Sequence, residues 1–258
     1  MSLHDSIPRA ALVTGAGKRI GRAIALDLAR RGLVVAVHYN DSANAAETVV
    51  AEIRAQGGTA VALQADLADE AAVERLIPAA TQALGPLGVL INNASSFEYD
   101  SVASATRTGW DRHMEANLRA PFVLIQHFAR QLPAAAEGVV VNLLDQRVWN
   151  LTPHFVTYTV SKAALWTLTQ TLALALAPRI RVNGIGPGPT LPSTHQTAEQ
   201  FAQQCADMPL GHGTSPDEIV AAVWFLLQAR AVTGQMVALD GGQHLGWAQP
   251  KQSISVID

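Results

Sequence analysis

An α/β fold, a doubly wound parallel sheet with helices on both faces, is predicted by three features of this sequence. They are seven short β-rich apolar runs, stretches of helical apolar spacing between most of them, and a glycine-rich turn directly after the first run. Parallel neighbours need helix-sized crossovers, so strands that alternate with helices imply a parallel sheet covered on both sides.

The first strand is read at 10–14, "AALVT", and runs into "TGAGKRIGRAIA", where a helix is read from Ile20 to Arg30. The second strand, "VVAVHY" at 34–39, is followed by helical spacing from Ala46 to Ala55, and the third, "AVALQ" at 60–64, by helical spacing from Val73 to Leu84. After "VLIN" at 89–92 comes one long helical pattern, Met114 to Leu132, and after "VVVNLL" at 139–144 the segment "FVTYTVSKAALWTLTQTLALALA". That last segment is apolar on more than one face, which suits burial against a second subunit. The sixth and seventh strands are "RVNGI" at 181–185 and "MVALD" at 236–240. Between them, 186–214 is the least regular stretch, "GPGPTLPSTHQT" then "PLGHGTSPDE", and is read as a lid or substrate wall.

Composition narrows the function classes. The 258 residues are 49% hydrophobic and 15% charged, enough for a large apolar core, and 1–258 is read as one domain. A formal net charge of −3 with no block of like charge leaves no nucleic-acid footprint and no polybasic membrane patch, so the expected partner is a small molecule. The single cysteine, Cys205, rules out an intrachain disulfide or a cysteine-cluster metal site and suits a reducing compartment. "MSLHDSIPRAALV" lacks the basic start and apolar run of a signal peptide, and no apolar segment approaches the ~18–20 residues of a membrane span. A soluble cytoplasmic protein is expected.

The glycine-rich turn carries the first chemistry. Gly15, Gly17 and Gly21 allow a sharp turn, a close ligand approach and tight packing of helix on strand, and the helix that follows points its first amides at a pyrophosphate. Set between a first strand and a helix, this pattern predicts a dinucleotide site. An acid at the tip of the second strand would accept a ribose hydroxyl and repel a 2′-phosphate. Here the tip reads His38, Tyr39, Asn40, with Asp41 beyond it, and Lys18 and Arg19 stand in the glycine loop. NADP(H) is therefore expected over NAD(H). Further on, Tyr158 and Lys162 are four residues apart and share a helix face, where an ammonium beside a phenol lowers its pKa toward neutral pH.

With these residues in order, the sequence resembles the short-chain dehydrogenase/reductase family over nearly its whole length. The matching segments are "TGAGKRIG", "ADL" with Asp66, "NNAS" at 92–95, Asn117 in "EANL", "YTVSK", "GPGPT" at 186–190 and "LDGG" at 239–242. The resemblance implies a Rossmann fold and a homotetramer. It also implies adenine contact by Asp66, a cofactor floor at Asn93, and a nicotinamide edge at Pro187-Gly188. Its tetrad would have Asn117 holding a relay water, Lys162 binding ribose and tuning Tyr158, and Tyr158 as the acid. The expected cofactor contacts are thus Gly15, Lys18, Arg19, Ile20 and Gly21; His38, Tyr39, Asn40 and Ser42; Asp66 and Leu67; Asn93, Ala94 and Ser95; and Pro187 and Gly188.

Two departures bear on the substrate. Arg19 stands where the family commonly has Gly, and Asp145, thirteen residues before Tyr158, replaces its usual Ser. A hydroxyl can donate to a carbonyl oxygen as it becomes an alkoxide, whereas an ionised carboxylate can only accept. An acid group beside a ring nitrogen can instead assist proton delivery to it or bind an N–H-rich heterocycle. Both departures, with "NASSF" at 93–97, resemble the pteridine reductase branch, which includes dihydromonapterin and alternative dihydrofolate reductases. That resemblance implies Phe97 stacked on a pterin, Ser95 bonded to cofactor and pterin, Arg19 facing substrate and phosphate, and Asp145, Tyr158 and Leu191 at the substrate. The expected activity is NADPH-dependent pteridine reduction, with a generic carbonyl reductase of 3-oxoacyl or sugar type and a non-catalytic nucleotide-binding module as the alternatives. His154, His195, His212 and His244 show no metal-ligand spacing, so no metal is expected. Trp110, Trp149, Trp166, Trp224 and Trp247 are read as core or subunit-contact residues, with Trp149 also a candidate for the pocket mouth.

Overall fold

A computed structural model describes residues 3–193 and 196–246; His195 and Trp247 lie outside the described residues. It contains a seven-stranded, all-parallel sheet in the order β3-β2-β1-β4-β5-β6-β7, with helices on both faces. The strands are β1 (Ala10–Val13), β2 (Val34–Tyr39), β3 (Ala60–Gln64), β4 (Leu87–Asn92), β5 (Gly138–Leu143), β6 (Ile180–Pro187) and β7 (Met236–Leu239). The helices are α1 (Arg19–Arg30), α2 (Ala43–Ala55), α3 (Glu70–Leu84), α4 (Arg107–Met114), α5 (Ala120–Gln131), α6 (Val156–Ala175), α7 (Ala198–Ala206) and α8 (Pro216–Gln228). Among the described residues no helix is long and apolar enough to cross a membrane.

The strand runs read as continuous apolar stretches because both faces are buried. Alternate side chains feed two cores: Val13, Val35, Val37, Ile91 and Val141 meet α1, α2 and α8, whereas Leu12, Ala36, Leu90 and Val140 meet α3 and α5. At the carboxyl ends of β4 and β5 a buried polar ladder replaces apolar packing. Asn92 Nδ2 donates to Asn142 Oδ1 at 2.8 Å, and Asn142 Nδ2 donates to Thr169 Oγ1 at 2.9 Å, which fixes α6 against the sheet.

Two expectations need correction. The helical pattern from Met114 to Leu132 is not one α-helix, because a π-helical segment at Glu115–Arg119 separates α4 from α5. Pro121 explains it: without an N–H it cannot bond the Asn117 carbonyl four residues back, and the Ala120 N–H bonds the Glu115 carbonyl five residues back instead. Likewise, the stretch 186–214 is not wholly irregular. It holds α7, started by a capping box in which Thr197 and Gln200 satisfy each other's backbone amides.

Candidate active site

The strand order reverses between β1 and β4, and in open α/β sheets a ligand crevice forms at that point, outside the carboxyl ends of the strands. A cavity of ≈ 570 Å³ opens there. Of the expected site residues it gathers Arg19, Ile20, Asn93, Ser95, Phe97, Asp145, Tyr158, Lys162, Pro187, Gly188 and Leu191. Gly15, Lys18, Tyr39, Asn40, Ser42 and Asp66 follow β1, β2 and β3 along the same edge of the sheet, outside this cavity. Trp149 does not line it; its ring meets Trp166 and His244.

The glycine loop is held from behind. Gly15 adopts φ +61°, a left-handed conformation suited to Gly, and a Cβ on Gly21 would run into the Gly15 carbonyl and within 2.5 Å of Asn93 Nδ2. Asn93 ties the loop to β4, donating from Nδ2 to the carbonyls of Thr14 (2.8 Å) and Gly15 (3.2 Å), while Thr14 Oγ1 accepts from the amides of Asn93 (2.9 Å) and Ala94 (3.0 Å). His38, expected among the cofactor contacts, lies beneath the loop instead. Its Nδ1 accepts from the Gly15 amide and its Nε2 donates to the Ala65 carbonyl, both at 3.0 Å, so each ring nitrogen has a backbone partner. Burial lowers its pKa to about 4, in keeping with a neutral imidazole in this bridge. Leu67 is buried in the core, which leaves only its backbone for a ligand. Asp66 is exposed and accepts from the Ala68 amide at 2.9 Å. β2 ends at Tyr39 without an acid, and Asp41 is exposed beyond it.

The acid/base groups converge across β5 and α6. Tyr158 Oη donates to Asp145 Oδ2 at 2.9 Å, and Lys162 Nζ donates to the Leu143 carbonyl at 2.7 Å. Burial, then the Asp145 charge, push the Tyr158 phenol well above its usual range; the Arg147 guanidinium and the Ser95 hydroxyl act the other way and are outweighed. The expectation of a lowered phenol pKa is therefore reversed. Lys162 is fully enclosed, and burial brings its ammonium down to about 8 against the opposing pull of Asp145. Asn117 sits in the π segment with its side chain saturated: Oδ1 accepts from Ser95 Oγ (3.1 Å) and the Ser96 amide (2.7 Å), and Nδ2 donates to the Ser96 carbonyl (2.9 Å) and Ser161 Oγ (3.0 Å). The side chain has no valence left for a relay water, but the Asn117 carbonyl lacks its i+4 donor because that residue is Pro121.

Several wall residues were not singled out from the sequence. Phe97 stacks on Phe155 with centroids 4.6 Å apart and planes 3° off parallel, and meets the Tyr158 ring nearly at right angles at 4.7 Å. Phe155 holds this position with φ +56°, a strained conformation for a bulky residue, while its amide donates to the Asp100 carbonyl at 2.8 Å. Asp100 also caps α6 from the loop after β4, accepting from the Thr157 amide and hydroxyl. Arg147 packs beside this wall, and Tyr99 Oη lies 3.2 Å from His154 Nδ1 at its rim. Arg19 has φ +53°, a left-handed conformation that favours Gly, and its guanidinium donates to the carbonyls of Pro192 (2.9 Å) and Leu191 (3.2 Å), latching the segment after β6 over the cavity.

Comparisons with known proteins agree with this geometry. A family model described as enoyl-(acyl carrier protein) reductase matches residues 15–244. A 3-oxoacyl-(acyl-carrier-protein) reductase of Staphylococcus aureus is 34% identical over 242 residues, covering 92% of this chain and 98% of the relative. The FolM alternative dihydrofolate reductase 1 of Brucella suis, crystallised with NADP, superposes with a TM-score of 0.91 at 46% identity, covering 96% of this chain and 98% of the other. Its counterpart from Brucella canis, also with NADP, gives 0.89 at 46% identity over 93% and 96%. With an all-parallel sheet, a glycine loop at its switch point and a Tyr-Lys pair on α6, this chain belongs to the short-chain dehydrogenase/reductase family.

Proposed function

We propose that this chain is an NADPH-dependent reductase of a pteridine, of the dihydromonapterin, dihydrobiopterin or dihydrofolate class. The observation that carries the reading is the direct bond between Asp145 and Tyr158 at the cavity floor, where the family's commoner hydroxyl would stand. The likeness to two NADP-bound FolM alternative dihydrofolate reductases at 46% identity supports it.

The residues present fit the cofactor. The left-handed Gly15 and the start of α1 form a cradle for a pyrophosphate, and Lys18 and Arg19 are exposed beside a strand tip without an acid. NADPH, when bound, supplies the hydride that reduces a ring carbon. The chain's own residues supply the proton and its direction. Tyr158 keeps its proton through neutral pH, which suits a donor, and gives it to the ring nitrogen. A phenol has one hydrogen, so Tyr158 must exchange its bond to Asp145 for one to substrate; Asp145 then accepts an N–H of the heterocycle. Lys162, 5.9 Å from the Tyr158 ring centroid, offsets the phenolate left behind, and a relay water at the Asn117 carbonyl would reprotonate it. Phe97 offers a flat surface for a planar heterocycle.

The test is NADPH oxidation, followed by its absorbance, with dihydromonapterin, dihydrobiopterin and dihydrofolate added in turn to wild-type protein. Turnover that requires a dihydropterin supports the reading; NADPH binding without turnover of any of them sinks it. Val160 and Leu174, exposed on α6, suit burial against another copy of the chain, and sedimentation would show the tetramer or its absence.

A further inference from the structure

Arg147 touches both the Asp145 carboxylate and the aromatic wall of this site. Asp145 caps the 3₁₀ turn Gln146–Val148, so that its Oδ1 accepts the Arg147 amide at 2.8 Å. The Arg147 side chain folds back over the same turn, and Nη1 reaches Oδ2 at 3.2 Å, the oxygen that also accepts the Tyr158 hydroxyl at 2.9 Å. Both oxygens of Asp145 are thus held by one residue, and the pair is almost fully buried, at 9% and 8% exposure. One hold is the backbone amide of Arg147 and the other a guanidinium N–H, and a carboxylate bonded at both oxygens loses the freedom to rotate that a single bond would leave it.

The same guanidinium meets the aromatic wall. Its carbon lies 5.3 Å from the Phe155 centroid and 5.8 Å from the Phe97 centroid, while those two rings are stacked 4.6 Å apart. Both distances are within cation–π reach, so the cation is lodged against the pair while it bonds Asp145.

We propose that Arg147 is a positioning residue for the acid/base pair: it fixes both oxygens of Asp145 so that the carboxylate faces Tyr158 and the substrate in one orientation, and its lodging against Phe97 and Phe155 registers that orientation with the aromatic wall. The choice of substrate class rests on the reading above: a carboxylate held in this way presents an acceptor, which an N–H-bearing heterocycle can meet and a ketone oxygen cannot. Arg147 acts through Asp145 and is not asked to touch the reacting atoms.

A double-mutant cycle tests this. Arg147→Gln is expected to lower kcat/KM about ten- to a hundredfold, a part of the ~10²–10⁴ that a positioned acid contributes, with the loss in kcat and with NADPH affinity unchanged. In an Asp145→Asn background the same change should cost nothing further, because the group Arg147 acts on is gone. Arg147→Lys, which keeps the charge without the planar guanidinium, should recover part of the rate and serves if the Gln variant folds poorly. Additive losses in the cycle, or a loss confined to KM with no rescue by Lys, would overturn the proposal. If no dihydropterin is turned over, the preceding reading fails by itself and the cycle is run on whichever carbonyl substrate is reduced. A crystal structure of the NADPH-bound Arg147→Gln protein decides the matter independently of turnover: the Asp145 carboxylate should be rotated away from Tyr158, and an unmoved carboxylate would refute its dependence on Arg147.

Discussion

Replacing His38 with Gln should remove most of the acid sensitivity of the glycine loop. In the folded chain the His38 pKa falls from 6.5 to about 4 because the ring is buried, with Nδ1 accepting from Gly15 and Nε2 donating to Ala65. Protonation would put a hydrogen on Nδ1, facing the Gly15 amide, and turn an acceptor into a second donor. Because the folded pKa lies below the unfolded one, the unfolded chain binds a proton between pH 6.5 and 4 that the folded chain excludes. The contribution is whole above about pH 6.5 and is lost as pH falls toward 4, and at ~1.4 kcal/mol per pKa unit it comes to about 3 kcal/mol. Carboxylates also titrate in this window, so the informative quantity is the difference between wild type and His38→Gln at one protein concentration. Gln offers a non-titrating donor and acceptor in imperfect positions, which should cost about 1–2 kcal/mol at pH 8. Urea unfolding followed by tryptophan fluorescence should show the wild type ahead at pH 8 and that lead closing or reversing by pH 4.5. A stability gap that stays constant from pH 8 to 4.5 would refute the buried, neutral bridge.

Tyr158→Phe should cut turnover by about 10²–10⁴-fold and leave NADPH affinity nearly unchanged; equal losses in both would count against its role as proton donor. Gly21→Ala would place a methyl group against the Gly15 carbonyl and Asn93 Nδ2 and displace the loop, so fluorescence titration should show NADPH binding weakened and the melting temperature should fall. Arg19→Gly relieves a left-handed backbone worth roughly 1–2 kcal/mol and releases the carbonyls of Leu191 and Pro192, so thermal stability should hold or rise while KM for the pterin increases. With burial holding the Lys162 ammonium near 8, its charge is present below that pH and lost above it, and kcat/KM should decline on the alkaline side of about pH 8.

The sheet was legible because its strands are buried on both faces, so that runs such as "VVAVHY" and "VVVNLL" stand out without any alternation to decode. The π segment hid behind a helical pattern that continues through it, and its one signal is Pro121, which reads equally well as the first turn of a new helix. At the site, helical spacing sufficed to pair Tyr158 with Lys162 on one face of α6, whereas Asp145, in the turn after β5, was picked out by the family resemblance. Direction was harder. Two-residue alternation sets His38 on the same face of β2 as Ala36, and only the packing of the loop above it shows that this face looks under the glycine turn. The phenol pKa turned on burial, which outweighs a lysine four residues away and cannot be counted along a chain. Phe155 and Arg147 carry no spacing signal; a left-handed residue before α6 and a 3₁₀ turn after β5 bring them to the wall.

The most direct test of the account compares wild type with Asp145→Ser in NADPH oxidation against a panel of dihydropterins and simple ketones. Wild type should show dihydropterin-dependent oxidation that the serine suppresses, with any gain confined to ketones. Ketone reduction by the wild type without pterin turnover, or pterin turnover untouched by the serine, would contradict it.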